Sequence, residues 1–260
     1  MSAPVIILGM HRSYTTLLAQ WLHLNGIQMF EGDAPPNHHE DPRVFTLHEQ
    51  FLAAQQMNWL NAREPFTDPG DKFRNLCYAY WKSNTDKVAW GWKDPRTTIL
   101  FEFLWSAFAS DAKLLAVFRN PADVVASLFD RKVAMRSRYR KVPDALYRAV
   151  LSRNRNQYDV PHLICWNYYN RLLIRTLQQV NSSRYVLIHA DTLTSSPQAI
   201  RSHLQETWEH PLAGPDLSDL MHHRPVRPTT PYPPLSNTAL WEEAHTLYAT
   251  LLSMQTTLST

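Results

Sequence analysis

The 260-residue chain is 44% hydrophobic and carries 26 Lys and Arg against 23 Asp and Glu, a formal net charge of +3. That length holds one large core or two small ones, of which a single α/β domain is the expectation, and so small a charge gives no argument for nucleic acid while suiting an anionic ligand in a local basic pocket. Cys77 and Cys165 are the only cysteines, so neither a disulfide framework nor a cysteine-based zinc site is indicated.

The first apolar run starts within about four residues of Met1, too early for a secretory signal, and no run approaches the ~20 apolar residues of a membrane helix. The expectation is a cytoplasmic protein without a transmembrane segment. Residues 5–18 read VIILGMHRSYTTLL. Val5 to Leu8 read as a buried strand, Gly9 as a turn, and Leu17, Leu18, Trp21 and Leu22 as one face of a helix that stops near Gly26. A strand, a bend and a helix N-terminus are the parts of a phosphate cradle. An ATP-binding loop would need Gly at 14 and Lys at 15, where the chain has Tyr14 and Thr15; only Thr16 fits, and the cation has moved into the turn as Arg12. A strand-Gly-helix junction capped by hydroxyls is also an ordinary way to start a helix.

Residues 31–43 are Pro-rich and polar and read as a loop, after which residues 44–60 resume helical spacing. Residues 87–95 alternate Val88, Trp90 and Trp92 and end at Pro95, a strand running into a loop. Residues 112–121 form a continuous apolar run, a strand covered on both faces, followed by a helix with Asn120 as its cap, Pro121 at its first position and Asp123 in its first turn. Between Arg131 and Arg155 nine cations face one acid, Asp144; this is either a solvated helical face or a cover over an anionic cofactor or acceptor. Residues 160–180 read as a long helix, 184–191 as a core strand, 224–234 as irregular Pro-rich chain and about 237–253 as a last helix. Strands separated by helices point to a central parallel β-sheet flanked by helices on both sides.

In VFRNPADVVASL, Arg119 ends a strand and Ser127 stands eight residues later on the adjoining helix; a guanidinium fork and a hydroxyl so placed could grip one phosphate from two directions, and taken alone the pair reads equally as a helix cap and a surface arginine. Together with the first loop this resembles the PAPS-dependent sulfotransferases (PAPS, 3'-phosphoadenosine 5'-phosphosulfate), most closely their bacterial members. The resemblance runs from about residue 5 to 205 and includes AWGWKDPRTTI, NHHED and YVLIHADTLTSSP. It implies a P-loop-like α/β sulfotransferase fold, a single domain over residues 1–260 with the 224–260 segment packing on it, PAPS as donor, PAP as product and no metal. It also implies that His11, Arg12, Ser13, Tyr14, Thr15 and Thr16 hold the 5'-phosphosulfate, and that Arg119 and Ser127, with Pro121 and Asp123, form the 3'-phosphate segment. The chain departs from the family pattern at Tyr14, where Gly is usual, and at His189-Ala190-Asp191, where Tyr-Glu-Asp is usual. Positive φ is costly for a tyrosine.

Sulfuryl transfer is an in-line displacement in which the acceptor loses a proton and charge develops on the bridging oxygen. Arg12 is the candidate to stabilise the departing phosphate. Glu40 is the candidate base, with His38 and His39 offering the same role nearer neutral pH, and His11 an orienting group. Lys93 stands where similar small-molecule sulfotransferases have their catalytic histidine; it is expected to steady the sulfuryl oxygens, with Asp94 and Arg96 holding the loop. Trp21, Trp59, Trp90, Trp92 and Tyr168 are available to line an acceptor pocket or the core. The acceptor, a small molecule, sugar or lipid, and the oligomeric state are not written in the sequence. A P-loop nucleotide kinase and an inactive nucleotide-binding module of the same fold are the alternatives.

Overall fold

The computed structural model describes residues 3–31, 37–68, 70–141, 143–210, 212–221 and 238–258. Four parallel strands, β1 (Val5–Leu8), β2 (Gly91–Lys93), β3 (Lys113–Phe118) and β4 (Tyr185–His189), pair in the order β2-β1-β3-β4. Side chains alternate across the sheet with the period of two that a strand imposes. Ile6, Leu8, Trp92, Leu114 and Ala116 enter the larger core on one face, while Val5, Ile7, Leu115 and Val117 enter a second core on the other. Both faces are therefore covered, as a parallel sheet requires.

The connections are helical. α1 (Thr15–Leu24) follows β1; α2 (Pro42–Ala54) and α3 (Gly70–Lys82) lead to β2; α4 (Thr97–Leu100) and a π-helical turn at Phe101–Trp105 lead to β3. Between β3 and β4 come α5 (Pro121–Arg140), α6 (Asp144–Ser152) and α7 (Asn156–Gln179); α8 (Thr192–Ser195), α9 (Pro197–Trp208), α10 (Leu217–Met221) and α11 (Thr238–Met254) complete the chain. α11 returns to pack on α7, placing Ala244 and Leu251 in the larger core. The Pro-rich stretch at 224–234 and residues 32–36 of the first loop lie outside the described residues.

Two elements are shorter than their patterns predict. The helix expected over 44–60 begins at Pro42, where Asp41 caps it by accepting from Arg43 N at 2.9 Å, and ends at Ala54. There Gln56 takes φ 57° and Met57 N donates to Leu52 O at 2.8 Å, a left-handed closure that stops the helix and turns Trp59 back. The strand expected over 87–95 is confined to Gly91–Lys93, with Val88 exposed on the preceding turn. α3, whose Phe73, Cys77 and Tyr80 are buried at helical spacing, was not anticipated.

The strand order reverses between β1 and β3: the chain leaves β1 to one side for β2 and returns to the other for β3. Ligands of open α/β sheets bind outside the carboxyl ends of the strands at such a switch point. Loop 9–14 and Arg119 lie there, on the ends of these two strands.

Candidate active site

Gly9 leaves β1 with φ 145°, and a Cβ on it would lie 2.4 Å from Val117 O on β3. Only glycine lets the turn run this close to the neighbouring strand. Its N–H donates to Thr98 Oγ1 at 2.8 Å, a tether from α4 that the sequence did not signal. Arg12 and Tyr14 then adopt φ 71° and 65°. Tyr14 thus holds the left-handed conformation that favours glycine, at a cost of roughly 1–3 kcal/mol for a non-glycine residue. It precedes α1 without any side-chain capping bond, so the first-turn N–H groups of that helix face the loop unshielded by a cap. Ser13 is buried beneath the turn.

The second motif meets the first. Asn120 caps α5 by accepting from Ala122 N at 2.9 Å, which starts the helix where the sequence placed it. Across the switch point Arg12 Nε donates to Ser127 Oγ at 2.8 Å, and Arg119 Nη1 donates to the Arg12 carbonyl at 3.3 Å. The Arg119 guanidinium lies 5.2 Å from the centre of the Tyr14 ring and 3.6 Å from Asp123, while Trp166 Nε1 donates to its carbonyl at 3.1 Å. The ring that replaces the usual glycine therefore braces the second arginine.

A cleft of about 280 Å³ opens beside this loop, lined by His11, Arg12, Thr15, Thr16, His38, Glu40 and Lys93 together with Phe45, Glu49, Trp59, Pro95, Arg96 and Arg131. At its floor Lys93 Nζ lies 2.9 Å from Glu40 Oε1 and 3.4 Å from Thr16 Oγ1. Lys93 is 1% and Glu40 7% exposed. Burial raises the pKa of Glu40, opposed by the Lys93 charge, and burial lowers that of Lys93, opposed by Glu40.

The pair is supported from the core. Arg96 Nη2 donates to Glu40 Oε2 at 3.4 Å, its Nη1 pairs with Glu49, and its Nε donates to Asp94 Oδ1 at 2.9 Å. His48 Nδ1 lies 3.0 Å from Asp94 Oδ2, and Trp105 Nε1 donates to His48 Nε2 at 2.8 Å. An indole N–H only donates, so His48 Nε2 accepts and its hydrogen sits on Nδ1, directed at Asp94. Against the effect of burial, His48 and Arg96 hold the Asp94 carboxyl well below the usual carboxylate range.

His11 packs its ring 4.5 Å from that of Trp59, and its Nε2 is buried with no hydrogen-bond partner. Burial, with Arg96 nearby, pushes its pKa down to about 3, so the imidazole is neutral at ordinary pH. His38 lies at the rim with φ 62°, its pKa lowered by partial burial and by Arg131, Lys93 and Arg12. His39 turns its ring toward Phe30 instead of the cleft. Of the candidate aromatics only Trp59 lines the cleft; Trp21, Trp90 and Trp92 are core, and Tyr168 packs against it. The signal for Asp94 and Arg96 as a loop brace was present in the KDPR run; nothing local marked His48, Trp105 or Thr98.

A parallel sheet with a glycine turn at its switch point, a helix N-terminus behind it and arginines from two motifs converging on it defines an α/β protein of P-loop-like fold. The chain belongs to the sulfotransferase family, whose model matches residues 4–212. Similar solved structures include a sulfotransferase domain from the curacin biosynthetic pathway, at 14% identity and TM-score 0.53 over 97% of this chain and 98% of that one. The sulfotransferase domain of the Synechococcus PCC 7002 olefin synthase is 18% identical with TM-score 0.52 over 95% of each chain. A sulfotransferase from Alicyclobacillus acidocaldarius is 17% identical with TM-score 0.51, covering 97% of this chain and 94% of that one. These likenesses bear on the fold. No curated protein matches the chain in sequence.

Proposed function

We propose that residues 1–260 act as one domain that transfers a sulfuryl group from PAPS to a hydroxyl or amine of a small-molecule, sugar or lipid acceptor, releasing PAP. The observation that supports this reading is the 2.8 Å hydrogen bond from Arg12 to Ser127, which brings motifs 115 residues apart side by side, as a donor with two phosphates requires. The residues fit such a donor: a cradle that a Cβ at Gly9 would fill, an uncapped helix start, and a buried, unpartnered His11 Nε2 beside it. PAPS supplies a sulfuryl group already activated by its bond to phosphate.

Around it each side chain has a task. Arg12, with the first turn of α1, neutralises charge that develops on the 5'-phosphate side. Arg119 and Ser127 hold the 3'-phosphate, and Tyr14 keeps the Arg119 plane in place. Lys93 and Thr16 orient the sulfuryl oxygens. Glu40, with its pKa raised by burial, takes the acceptor proton, and Arg96 fixes the second oxygen of that carboxylate.

Membership of the sulfotransferase family leaves the kinase reading without support, while an inactive donor-binding module differs only in turnover. Among the described residues no helix is long and apolar enough to cross a membrane. The test is thermal stabilisation by PAP in EDTA: ligand at ~100 times Kd adds ~2.7 kcal/mol. A shift with Mg-ATP and none with PAP overturns the donor assignment. Labelled PAPS incubated with metabolite extracts then separates enzyme from binder.

A further inference from the structure

The basic stretch on α5 and α6 divides into two faces. On one, Phe129 and Val133 pack with Leu151, Lys132 lies 4.4 Å over the Tyr158 ring, and Arg148 reaches Asp130 at 2.6 Å. Those cations and apolar groups are consumed by the fold. At 100° per residue, Ser127, Arg131, Met135 and Arg138 share a face opposite Phe129 and Val133, and Tyr139 stands at its edge beside Lys132.

That face begins in the active site. Ser127 accepts from Arg12, and Arg131 lines the cleft with His38 and Trp59. It then leaves the cleft and runs into solvent, where Met135 is 61% and Tyr139 88% exposed. From Arg131 to Tyr139 the helix rises about 12 Å. Among the described residues Arg131, Arg136, Arg138, Arg140 and Arg153 have no acidic partner, unlike Arg119, Arg148 and Arg155, and of those five cations Arg131 alone lines the cleft. Arg131 also stands apart from the Arg119 end of the site. Its charge bears on His11 and His38, whereas Asp123 and His189 respond to Arg119.

Resting on the sulfotransferase reading, we propose that this face is an acceptor track and that the acceptor is an anionic amphiphile: Arg131 holds its carboxylate or phosphate at the cleft mouth, and its apolar part lies along α5 over Met135 and Tyr139. A cation at the mouth, apolar side chains next to it and a second cation at Arg138 form a strip about one helix face wide. That shape suits a single chain, with the hydroxyl or amine reaching inward toward Glu40. A broad acidic surface would instead engage α5 and α6 alike.

The test is calorimetric titration of the PAP-loaded protein with octyl phosphate, octanoate and octyl glucoside, each below its micelle concentration and at constant ionic strength. The two anions are expected to bind about tenfold or more tighter than the glucoside, the scale of a charge-assisted contact. Arg131→Gln is expected to erase that difference and leave PAP affinity unchanged. Tyr139→Ser should weaken all three probes, and Arg148→Ala none. Equal affinity for the three probes in the wild type overturns the track. So does an Arg148→Ala effect as large as that of Arg131→Gln, or stronger binding to phosphatidylglycerol vesicles lost equally in both variants, since each marks a general basic surface. An Arg131→Gln loss of PAP affinity equal to its loss of octyl phosphate affinity returns Arg131 to the donor site. Failure of PAP to bind the wild type would count against the donor assignment alone, and the octyl series on the ligand-free chain then still decides the track.

Discussion

Lys93 Nζ and Glu40 Oε1 lie 2.9 Å apart in a buried pair at the cleft floor, and burial drives each toward its neutral form. With Glu40 as the base, kcat/KM rises with pH as Glu40 ionises, and the midpoint of that acid limb lies above the ordinary carboxylate value of 4.5. The Lys93 charge lowers the Glu40 pKa, so Lys93→Met raises it and moves the limb to higher pH. A pH–rate profile of the two proteins checks the sign; a limb that moves to lower pH removes Glu40 from the role.

Replacing the carboxylate makes the complementary measurement. Glu40→Gln is expected to keep PAP affinity while turnover falls about 100-fold or more, with His38→Asn and His39→Asn as controls. Should Glu40→Gln turn over normally while one histidine variant is dead, the base is that histidine.

His48 touches neither phosphate motif, yet it holds Asp94, which in turn holds Arg96 against Glu40. His48→Phe removes one of the two donors to Asp94 Oδ2, which keeps Arg96 Nε at 3.1 Å, and leaves the Trp105 N–H without its partner, at a cost of about 1–3 kcal/mol in denaturant unfolding. Turnover is expected to fall with PAP affinity retained, and Trp105→Phe, which removes only the outermost donor, is expected to do less. Loss of PAP affinity in His48→Phe instead would place the effect on the fold.

Arg119 is the proposed anchor of a 3'-phosphate, a group that AMP lacks. Arg119→Ala is expected to weaken PAP about 10- to 150-fold, the range of a charge-assisted contact, and to leave AMP nearly unchanged. The two ligands and two proteins form a cycle whose coupling term isolates the contact. An equal loss for both ligands would make Arg119 a structural charge.

Tyr14 separates backbone from ring. Tyr14→Ala keeps the left-handed φ of 65° and loses the ring under Arg119, whereas Tyr14→Gly loses the ring and relieves the backbone. The glycine variant is expected to be more stable than the alanine variant by about 1 kcal/mol in chemical denaturation. Equal stabilities would mean that the turn relaxes.

What was legible in the sequence was local. The strand-Gly-helix junction, the Asn120-Pro121 cap and the apolar runs of β1, β3 and β4 each declare themselves within a few residues, and all three strands form where their runs lie. The site's electrostatics were not legible, because they depend on partners far apart in the chain: Lys93 and Glu40 are 53 residues apart and His48 and Asp94 are 46. Glu40 and Lys93 were each singled out for chemistry, but their pairing required the fold. At Tyr14 the sequence shows only a side chain for which positive φ is costly; the structure makes its ring a brace, a compensation that no propensity records.

The reversal of strand order between β1 and β3 has a consequence for engineering. Loop 9–14, Arg119 and Ser127 hang from β1, β3 and α5, whereas Glu40, His38, Phe45 and Trp59 come from the chain between α1 and α3, over the β2 side. A mutant library confined to His38, Phe45 and Trp59 can therefore reshape what enters the cleft while the proposed donor-gripping half stays intact, so new specificities can be screened without rebuilding the machinery that delivers the sulfuryl group.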